Sequence, residues 1–147
     1  MLILGSLPGE RSLAEARYYA HPQNRFWHLV GAAIEVDLPA LAYPDRVNAL
    51  RAHRIGLWDV FASAKREGSL DAAIREPQAN ALGELTASLP ELRAVAFNGA
   101  TAAKIGTKLL SGADFALLPL PSSSPAYAAM PLAQKQQVWM GLRKFLL

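Results

Sequence analysis

Four short apolar runs, separated by segments with a helical pattern, limit the folds that this chain can adopt. The runs are Met1–Leu4, Ile55–Phe61, Leu92–Phe97 and Phe115–Leu120. Apolar strands that alternate with helices form parallel sheets with helices on both faces. A length of 147 residues suits one domain. The sequence predicts an α/β fold, a three-layer α/β/α sandwich around a mostly parallel four-stranded sheet, with residues 1–147 as a single domain.

The segments between and after these runs have helical periodicity with recognisable start and stop signals. The predicted helices are Arg25–Val36, Asp45–Ala52 with Asp45 as its N-cap, Asn80–Leu89, Ala100–Leu110 and Pro131–Leu147. The apolar side chains available for burial are Ala103, Ile105 and Leu109 in the fourth helix and Val138, Leu142 and Phe145 in the last.

Loops that follow the strands of a parallel sheet gather at one edge, where open α/β proteins bind their ligands. The loops concerned are Gly5–Asn24, Asp59–Asp71, Asn98–Gly99 and Ser122–Tyr127. In the second of them, the polar and basic segment Ala62–Asp71 is expected to be loop. The sequence therefore predicts one site built from four loops.

The first loop is the richest in side chains suited to ligand binding. It opens with Gly5-Ser6-Leu7-Pro8-Gly9 and closes with Tyr18, Tyr19 and the run His21–Trp27. Glycines allow the backbone to approach a ligand closely, although this turn alone is also compatible with an ordinary connection. A tyrosine can stack on a planar ligand while the neighbouring amides position it. Phe26 and Trp27 are interpreted as the start of a core helix, with a place in the pocket wall as the alternative.

Charge and the lack of cysteine narrow the partners and cofactors. With 15 Lys+Arg against 12 Asp+Glu, a net charge of +3 allows a polyanionic partner without requiring one. Cysteine-free chains have no disulfide, zinc–thiolate site or cysteine-bound iron–sulfur cluster, and His21, His28 and His53 lack a metal-binding spacing. We expect no cofactor and no metal. The chain has neither a signal peptide nor an apolar run of about 18 residues, so a cytoplasmic protein with no membrane partner is expected.

Two stretches together resemble the first motif of the uracil-DNA glycosylase superfamily. They are Gly5-Ser6-Leu7-Pro8-Gly9 and Ala20-His21-Pro22-Gln23-Asn24-Arg25-Phe26-Trp27. Mismatch-specific uracil glycosylases have a Gly-Ile-Asn-Pro-Gly turn and then Ala-His-Pro-x-Asn-Arg-Phe-Trp. The hypoxanthine-DNA glycosylase group has the Gly-Ser-x-Pro-Gly turn seen here. Three further stretches of this chain resemble the same group: Gly-Leu-Trp-Asp at 56–59, Arg-Glu-Gly-Ser-Leu-Asp at 66–71 and Phe-Asn-Gly at 97–99. Superfamily groups with a four-cysteine cluster are excluded.

The resemblance implies roles for individual residues. Mismatch-specific enzymes position the attacking water with the Asn of the turn, where this chain has Leu7. In the hypoxanthine-DNA glycosylase group the amide is thought to come from the later Asn, which corresponds to Asn24, the implied catalytic residue. Tyr19 corresponds to the aromatic residue that stacks on the extruded base. The implied base-binding pocket consists of Gly5, Ser6, Leu7, Pro8, Gly9, Tyr19, Asp59 and Asn98.

A second stretch resembles the superfamily's DNA-wedging motif. It is Ser122-Ser123-Ser124-Pro125-Ala126, in which Ser122 stands where relatives have His or Asn. A stiff loop with short hydroxyls suits the minor groove and the phosphates, while a solvated turn is the alternative. The candidates for phosphate contacts are Lys65 and Arg66, with Arg25 and Arg11 in addition; each of these cations is otherwise an ordinary surface charge.

Asp59 and Asn98 each have two interpretations. Asp59 accepts hydrogen bonds from a base or holds Asn24 in place, or else it caps the following segment. Asn98 belongs to the pocket or forms a simple Asn-Gly turn.

The resemblance implies a monofunctional DNA glycosylase of base-excision repair that acts as a monomer on DNA containing a deaminated base. It would hydrolyse the N-glycosidic bond of a flipped base, hypoxanthine before uracil. A non-catalytic nucleic-acid-binding domain on the same fold is the main alternative, because Leu7 and Ser122 replace polar groups that relatives use. A serine hydrolase is a weaker one, because Gly5-Ser6-Leu7 lacks the nucleophile-elbow spacing.

Overall fold

A computed structural model describes residues 1–7, 10–65 and 75–146 of the chain. Its strands are β1 (Leu2–Gly5), β2 (Gly56–Asp59), β3 (Phe61–Lys65), β4 (Arg75–Ala79), β5 (Ala94–Asn98) and β6 (Ala116–Leu120). Its helices are α1 (Glu10–Glu15), α2 (Phe26–Ile34), α3 (Tyr43–Ala52), α4 (Leu82–Ala87), α5 (Ala100–Leu109) and α6 (Leu132–Trp139), with 3₁₀ segments at Leu38–Ala40 and Met140–Phe145. No helix within these described ranges is both long and apolar enough to cross a membrane.

Four strands form one parallel sheet in the order β2-β1-β5-β6. Strand β1 lies between β2 and β5 and is buried along its whole length, which explains why its sequence is apolar without alternation. Because all pairs are parallel, the carboxyl ends of the four strands lie at the same edge. The predicted four-stranded sheet is confirmed.

Alternate residues of the central strands face opposite sides of the sheet, as the strand period requires. Ile3 belongs to one core cluster, which α2, α3, α6 and both 3₁₀ segments cover. Leu2 and Leu4 belong to a second cluster, which includes residues of α4 and α5. The sheet is thus the middle layer of three, which confirms the predicted α/β/α architecture.

Helix α5 packs on the core through Ala102 and Gly106 as well as through Ala103 and Ile105, two of the three residues predicted for burial. Ala102 and Gly106 are its buried residues, whereas Ala103 and Ile105 are partly buried and Leu109 is 43% exposed. The reason is a close approach to β5, because a Cβ atom on Gly106 would collide with the ring of Phe97. The smallest residues of the helix therefore face the core, which a search for large apolar side chains overlooks.

The carboxyl-terminal segment is two elements, and the single predicted helix is wrong. Helix α6 ends at Trp139 and a 3₁₀ segment continues to Phe145. Trp139 and Leu142 are buried, while Val138 is 42% exposed. The indole of Trp139 donates its Nε1 hydrogen to the carbonyl of Pro121 at 2.9 Å, which attaches this helix to the loop after β6.

Two further expectations require correction. The apolar run Ile55–Phe61 is not one strand: β2 ends at Asp59, and β3 begins at Phe61 and pairs antiparallel with β4, so residues 62–65 are strand and not loop. The helix expected at Asp45 begins two residues earlier, with Ala42 as N-cap and Pro44 in the first turn. Proline suits that position because its missing N–H has no partner there.

Candidate active site at the carboxyl edge of the sheet

The edge where the parallel strands end opens onto a cavity of about 240 Å³. Each strand contributes to its wall: Gly5 at the end of β1, Asp59 at the end of β2, Asn98 at the end of β5, and residues 122–126 in the loop after β6. The remaining lining residues are Ser6, Leu7, Arg11, Ser12, Tyr18, Tyr19, His21 and Asn24. The four strand ends therefore meet at one cavity, as the sequence predicted, although Asp59 is the one described residue of the predicted loop Asp59–Asp71 that lines it.

All described residues proposed from the sequence for base binding line this cavity, and so does Asn24. Pro8, Gly9 and Arg66 lie outside the described residues, and so does the side chain of Lys65, whose backbone ends β3. One wall residue, Ser12, was not foreseen. It lies on α1, a helix that the sequence did not indicate, and its hydroxyl accepts a hydrogen bond from the backbone N–H of Ala20 at 3.0 Å.

The amide of Asn24 is held through its carbonyl oxygen. Oδ1 accepts a hydrogen bond from the backbone N–H of Phe26 at 2.9 Å and another from the hydroxyl of Ser123 at 2.8 Å. Nδ2 has no hydrogen bond to any described residue, and it remains accessible to solvent. Nδ2 is therefore the side of the amide that remains open for a ligand of the cavity that Asn24 lines.

Asn98 holds Ser123 in turn. Its Nδ2 donates to the Ser123 hydroxyl oxygen at 2.8 Å, and its Oδ1 accepts from the backbone N–H of Ser123 at 2.9 Å. Both residues are buried, with Ser123 1% and Asn98 7% exposed. The backbone N–H of Arg25 also donates to the carbonyl of Ser123 at 3.0 Å. The end of β5, the loop after β6 and the start of α2 are thus joined at one point.

This burial changes the interpretation of the serine loop. The hydroxyl, N–H and carbonyl of Ser123 are all used inside the protein, so the predicted contact between Ser123 and DNA is not supported. Its neighbours are partly exposed and stiffen the loop: the Ser122 hydroxyl accepts from the N–H of Ser124 at 3.1 Å, and the Ser124 hydroxyl accepts from the N–H of Ala126 at 3.2 Å.

Tyr19 forms an aromatic part of the cavity wall. Its ring stacks on Phe26 with 3.8 Å between centroids and 15° between planes. Phe26 itself is fully buried as the first residue of α2, in agreement with its predicted place in the core helix. The backbone of Tyr19 has a φ of 54°, in the left-handed region that non-glycine residues seldom adopt. Such strained residues persist where the surrounding structure fixes them, often at functional sites.

A buried carboxylate lies opposite this tyrosine. Asp59 is 7% exposed, and a Cβ atom on Gly5 would lie only 2.8 Å from its Oδ1 and 3.2 Å from the Tyr19 hydroxyl. Only glycine therefore leaves room at the end of β1. Burial raises the pKa of Tyr18, and the charges of Asp59 and Tyr43 raise it further. Asp59 makes no bond to Asn24, so that suggested role belongs to Ser123.

The polar lining does not resemble a metal site. Within the described ranges, no group of three or more His, Asp or Glu residues is arranged to hold a metal ion. His21 accepts a hydrogen bond at Nδ1 from the N–H of Gln23 at 3.1 Å, which braces the loop. Arg11 lines the cavity and pairs with Glu15 at 3.0 Å. Donors, acceptors and one buried carboxylate around a small cavity suit the binding of a planar polar molecule.

Comparisons with known proteins agree with this geometry. The family model described as the uracil DNA glycosylase superfamily matches residues 1–143. A hypoxanthine DNA glycosylase from Methanosarcina acetivorans is 44% identical over 126 residues, which are 86% of this chain and 79% of that protein. A hypoxanthine DNA glycosylase from Methanosarcina barkeri is 46% identical over 99 residues, 67% of this chain and 63% of that protein.

A solved structure extends the likeness to the fold. It is the solution NMR structure of a protein from Methanosarcina acetivorans that was provisionally assigned as a uracil DNA glycosylase. It superposes with a TM-score of 0.85 and 39% identity, over 97% of this chain and 88% of that one. A family model that spans nearly all residues and relatives above 40% identity agree on one assignment. This chain belongs to the uracil DNA glycosylase superfamily.

Proposed function

We propose that this chain is a monofunctional DNA glycosylase that hydrolyses the N-glycosidic bond of a flipped, deaminated base in base-excision repair. Hypoxanthine is the proposed main base and uracil the second. Membership of the superfamily and relatives described as hypoxanthine DNA glycosylases support this proposal. The observation on which it mainly depends is the cavity at the sheet edge, which is lined both by Asn24, whose amide donor bonds no described residue, and by the buried Asp59. We further propose that the enzyme acts as a cytoplasmic monomer without a cofactor.

The size of the cavity favours a single base as ligand. Pockets for drug-sized molecules are roughly 300–1,000 Å³, and this cavity of about 240 Å³ is smaller. A base inside a duplex cannot enter it, so the nucleotide must rotate out of the helix at a cost of a few kcal/mol, which is lowest for mismatched pairs. Tyr19, with Phe26 behind its ring, is the proposed stacking surface for the flipped base.

Asp59 is the proposed specificity residue. A carboxylate only accepts hydrogen bonds, so it suits the N1–H of hypoxanthine and the N3–H of uracil. Adenine and cytosine carry a lone pair at the same ring positions, and a carboxylate would repel it. The burial of Asp59 at 7% exposure strengthens both effects, because hydrogen bonds and electrostatic repulsion are stronger at low local dielectric.

Asn24 is the proposed catalytic residue, which positions the attacking water. Its Oδ1 already accepts two hydrogen bonds from the protein, so we assign the water to the other side of the amide. The remaining group is Nδ2, which donates to one lone pair of the water and leaves the second to attack the sugar carbon. The bond to the base breaks through an oxocarbenium-like sugar, as in other glycoside hydrolysis. The water oxygen then bonds to the sugar carbon, and the proton that the water loses passes through solvent to the departing base.

The departing base leaves with negative charge, and the turn after β1 is the proposed place for its stabilisation. Ser6 and Leu7 line the cavity directly after the strand, where backbone N–H groups can face a developing anion. This chemistry needs no strong general base. The rate should therefore vary less with pH than that of a glycosylase that depends on an ionised aspartate as base.

A single-turnover experiment tests the function. Labelled duplexes with one deoxyinosine or deoxyuridine are incubated with excess enzyme, and alkali then breaks the abasic sites. We expect cleavage at deoxyinosine by the wild type and a loss of about 10²–10³-fold in Asn24→Ala, the range for removal of one preorganised donor. The matched control is Asn48→Ala, at an exposed position of α3. A wild type that binds DNA but cuts neither duplex would favour the non-catalytic alternative.

A further inference from the structure

We propose that Asn98 and Ser123 are positioning residues that fix the orientation of the Asn24 side-chain amide. The three side chains form a hydrogen-bonded relay from β5 through the loop after β6 to Asn24, two residues before α2. The relay is defined here as Asn98, Ser123 and Asn24. Its catalytic consequence rests on the proposed function, whereas its direction follows from the hydrogen bonds alone.

Two backbone N–H groups set the direction, because they can only donate. The N–H of Ser123 points at one side-chain atom of Asn98, which must therefore be the carbonyl oxygen. The other atom of that amide is then Nδ2, and it donates to the Ser123 hydroxyl oxygen at 2.8 Å. With its oxygen occupied as an acceptor, the Ser123 hydroxyl turns its hydrogen toward Asn24.

The same argument applies at the other end of the relay. The N–H of Phe26 donates to Asn24 at 2.9 Å, so the receiving atom is Oδ1, and the Ser123 hydroxyl donates to it from the other side. A flipped amide would place Nδ2 against two donors. Burial of Ser123 and Asn98 keeps water from replacing any partner, and successive hydrogen bonds strengthen one another at low local dielectric. These bonds leave one orientation of the Asn24 amide, in which Oδ1 is held by the protein and Nδ2 is the open side.

The position of the loop does not depend on the relay alone. The N–H of Arg25 donates to the backbone carbonyl of Ser123, a bond that no side-chain substitution removes. Losing the Ser123 hydroxyl should therefore leave the loops in place and leave the Asn24 amide held only by the N–H of Phe26, so that its orientation becomes less tightly fixed. This separates a positioning role from a purely structural one.

The test is the substitution Asn98→Asp. It keeps the shape of the side chain and the oxygen that accepts from the N–H of Ser123, but the group that replaces the Nδ2 donor can donate only when the carboxyl is protonated. An ionised carboxylate cannot donate a hydrogen bond. The Ser123 hydroxyl therefore donates its hydrogen to the carboxylate at position 98 and places an oxygen lone pair against Asn24 Oδ1, which repels it. A protonated carboxyl donates as Nδ2 does and restores the relay. Burial raises the pKa of such a carboxyl and hydrogen bonds from Ser123 lower it, so the rate is followed over the whole pH range in which the protein stays folded.

We expect the single-turnover rate of Asn98→Asp at deoxyinosine to be about 10- to 100-fold below wild type at alkaline pH, a usual effect of a misplaced catalytic group. The rate should recover as pH falls. Ser123→Ala should be similarly slow at every pH, with an unchanged affinity for DNA, and Asn98→Asp combined with Ser123→Ala should show no recovery. The control is Asn48→Asp on the exposed face of α3. The other titratable groups at the cavity, Asp59, Tyr18, His21 and Arg11, are common to all variants.

A second readout does not need catalysis. In ¹⁵N NMR spectra, the side-chain amide of Asn24, assigned by its loss in Asn24→Ala, should shift with pH in folded Asn98→Asp and stay constant in the wild type. If the wild type cleaves neither duplex, the proposed function fails and this titration still judges the relay. The relay is refuted if the Asn24 amide does not respond to pH in Asn98→Asp, or if folded Ser123→Ala cleaves as fast as the wild type.

Discussion

Replacing Gly5 by alanine adds one methyl group at the point where β1 meets the cavity. A Cβ atom there would lie 2.8 Å from Asp59 Oδ1 and 3.2 Å from the Tyr19 hydroxyl, where ordinary contacts begin at 3.4 Å. The carboxylate must therefore retreat by about 0.6 Å and the hydroxyl by about 0.2 Å. Functional groups tolerate displacements of only about 0.5 Å, so the proposed base contacts should suffer while Asn24 and its partners stay in place.

The stability change can be stated for the same variant. Adding a methyl group to a close-packed position costs typically about 1–3 kcal/mol, and we expect Gly5→Ala to fall in that range. Gly83→Ala is the matched control, because the added Cβ atom meets nothing within 4 Å. Gly83 lies in α4, so its replacement should stabilise the protein by about 0.5–1 kcal/mol.

Two assays measure these effects. Urea denaturation gives the free energy of unfolding, and single-turnover cleavage at deoxyinosine gives the rate, which should fall about 10- to 100-fold in Gly5→Ala. Cleavage and unfolding of Gly83→Ala define the baseline. If Gly5→Ala were as stable and as active as Gly83→Ala, the close approach of Asp59 to the end of β1 would have no functional meaning, and the reasoning about the cavity wall would be refuted.

Two further predictions concern stability. Gly106→Ala should lower the free energy of unfolding by about 1–3 kcal/mol, because the methyl group meets the ring of Phe97; Gly141→Ala, which meets nothing within 4 Å, is the control, and urea denaturation measures both. Burial lowers the pKa of Lys135 below its ordinary 10.5. At neutral pH Lys135 is charged in both the folded and the unfolded protein, so the cost of removing this charge from water lowers the stability of the folded protein. As pH rises through the folded pKa toward 10.5, only the unfolded state keeps the proton, and stability should rise with pH. Denaturation of Lys135→Met at pH 7 to 11 should lack this rise, and equal slopes for both proteins would contradict the assignment.

The sheet was predictable because its physical signature is local. A strand buried on both faces has to be apolar along its length, and β1 shows this in four consecutive residues. The shared edge then follows from parallel pairing alone. For the same reason Gly5, Asp59 and Asn98 could be expected at one cavity before any coordinates were known.

Other features depend on partners that lie far away in the sequence. A serine in a Ser-Pro loop looks solvent-exposed, and only contacts with Asn98 and Asn24, 25 and 99 residues away, bury Ser123. The packing face of α5 depends on the fit of Gly106 against Phe97. The hairpin of β3 and β4 has irregular pairing, so it lacks the regular alternation that marks a strand in sequence.

The bond between Ser123 and Asn24 also bears on the order of assembly. It joins positions 99 residues apart, and contacts between such distant positions form late, because a long loop must close first. The second of the two hydrogen bonds at Asn24 Oδ1 therefore forms only when the last strand of the sheet, β6, has joined β5. A chain still being synthesised, or one with β6 detached, already carries every residue of the first loop but holds this amide by the local bond from Phe26 alone. Completion of the fold thus completes the support of the proposed catalytic amide.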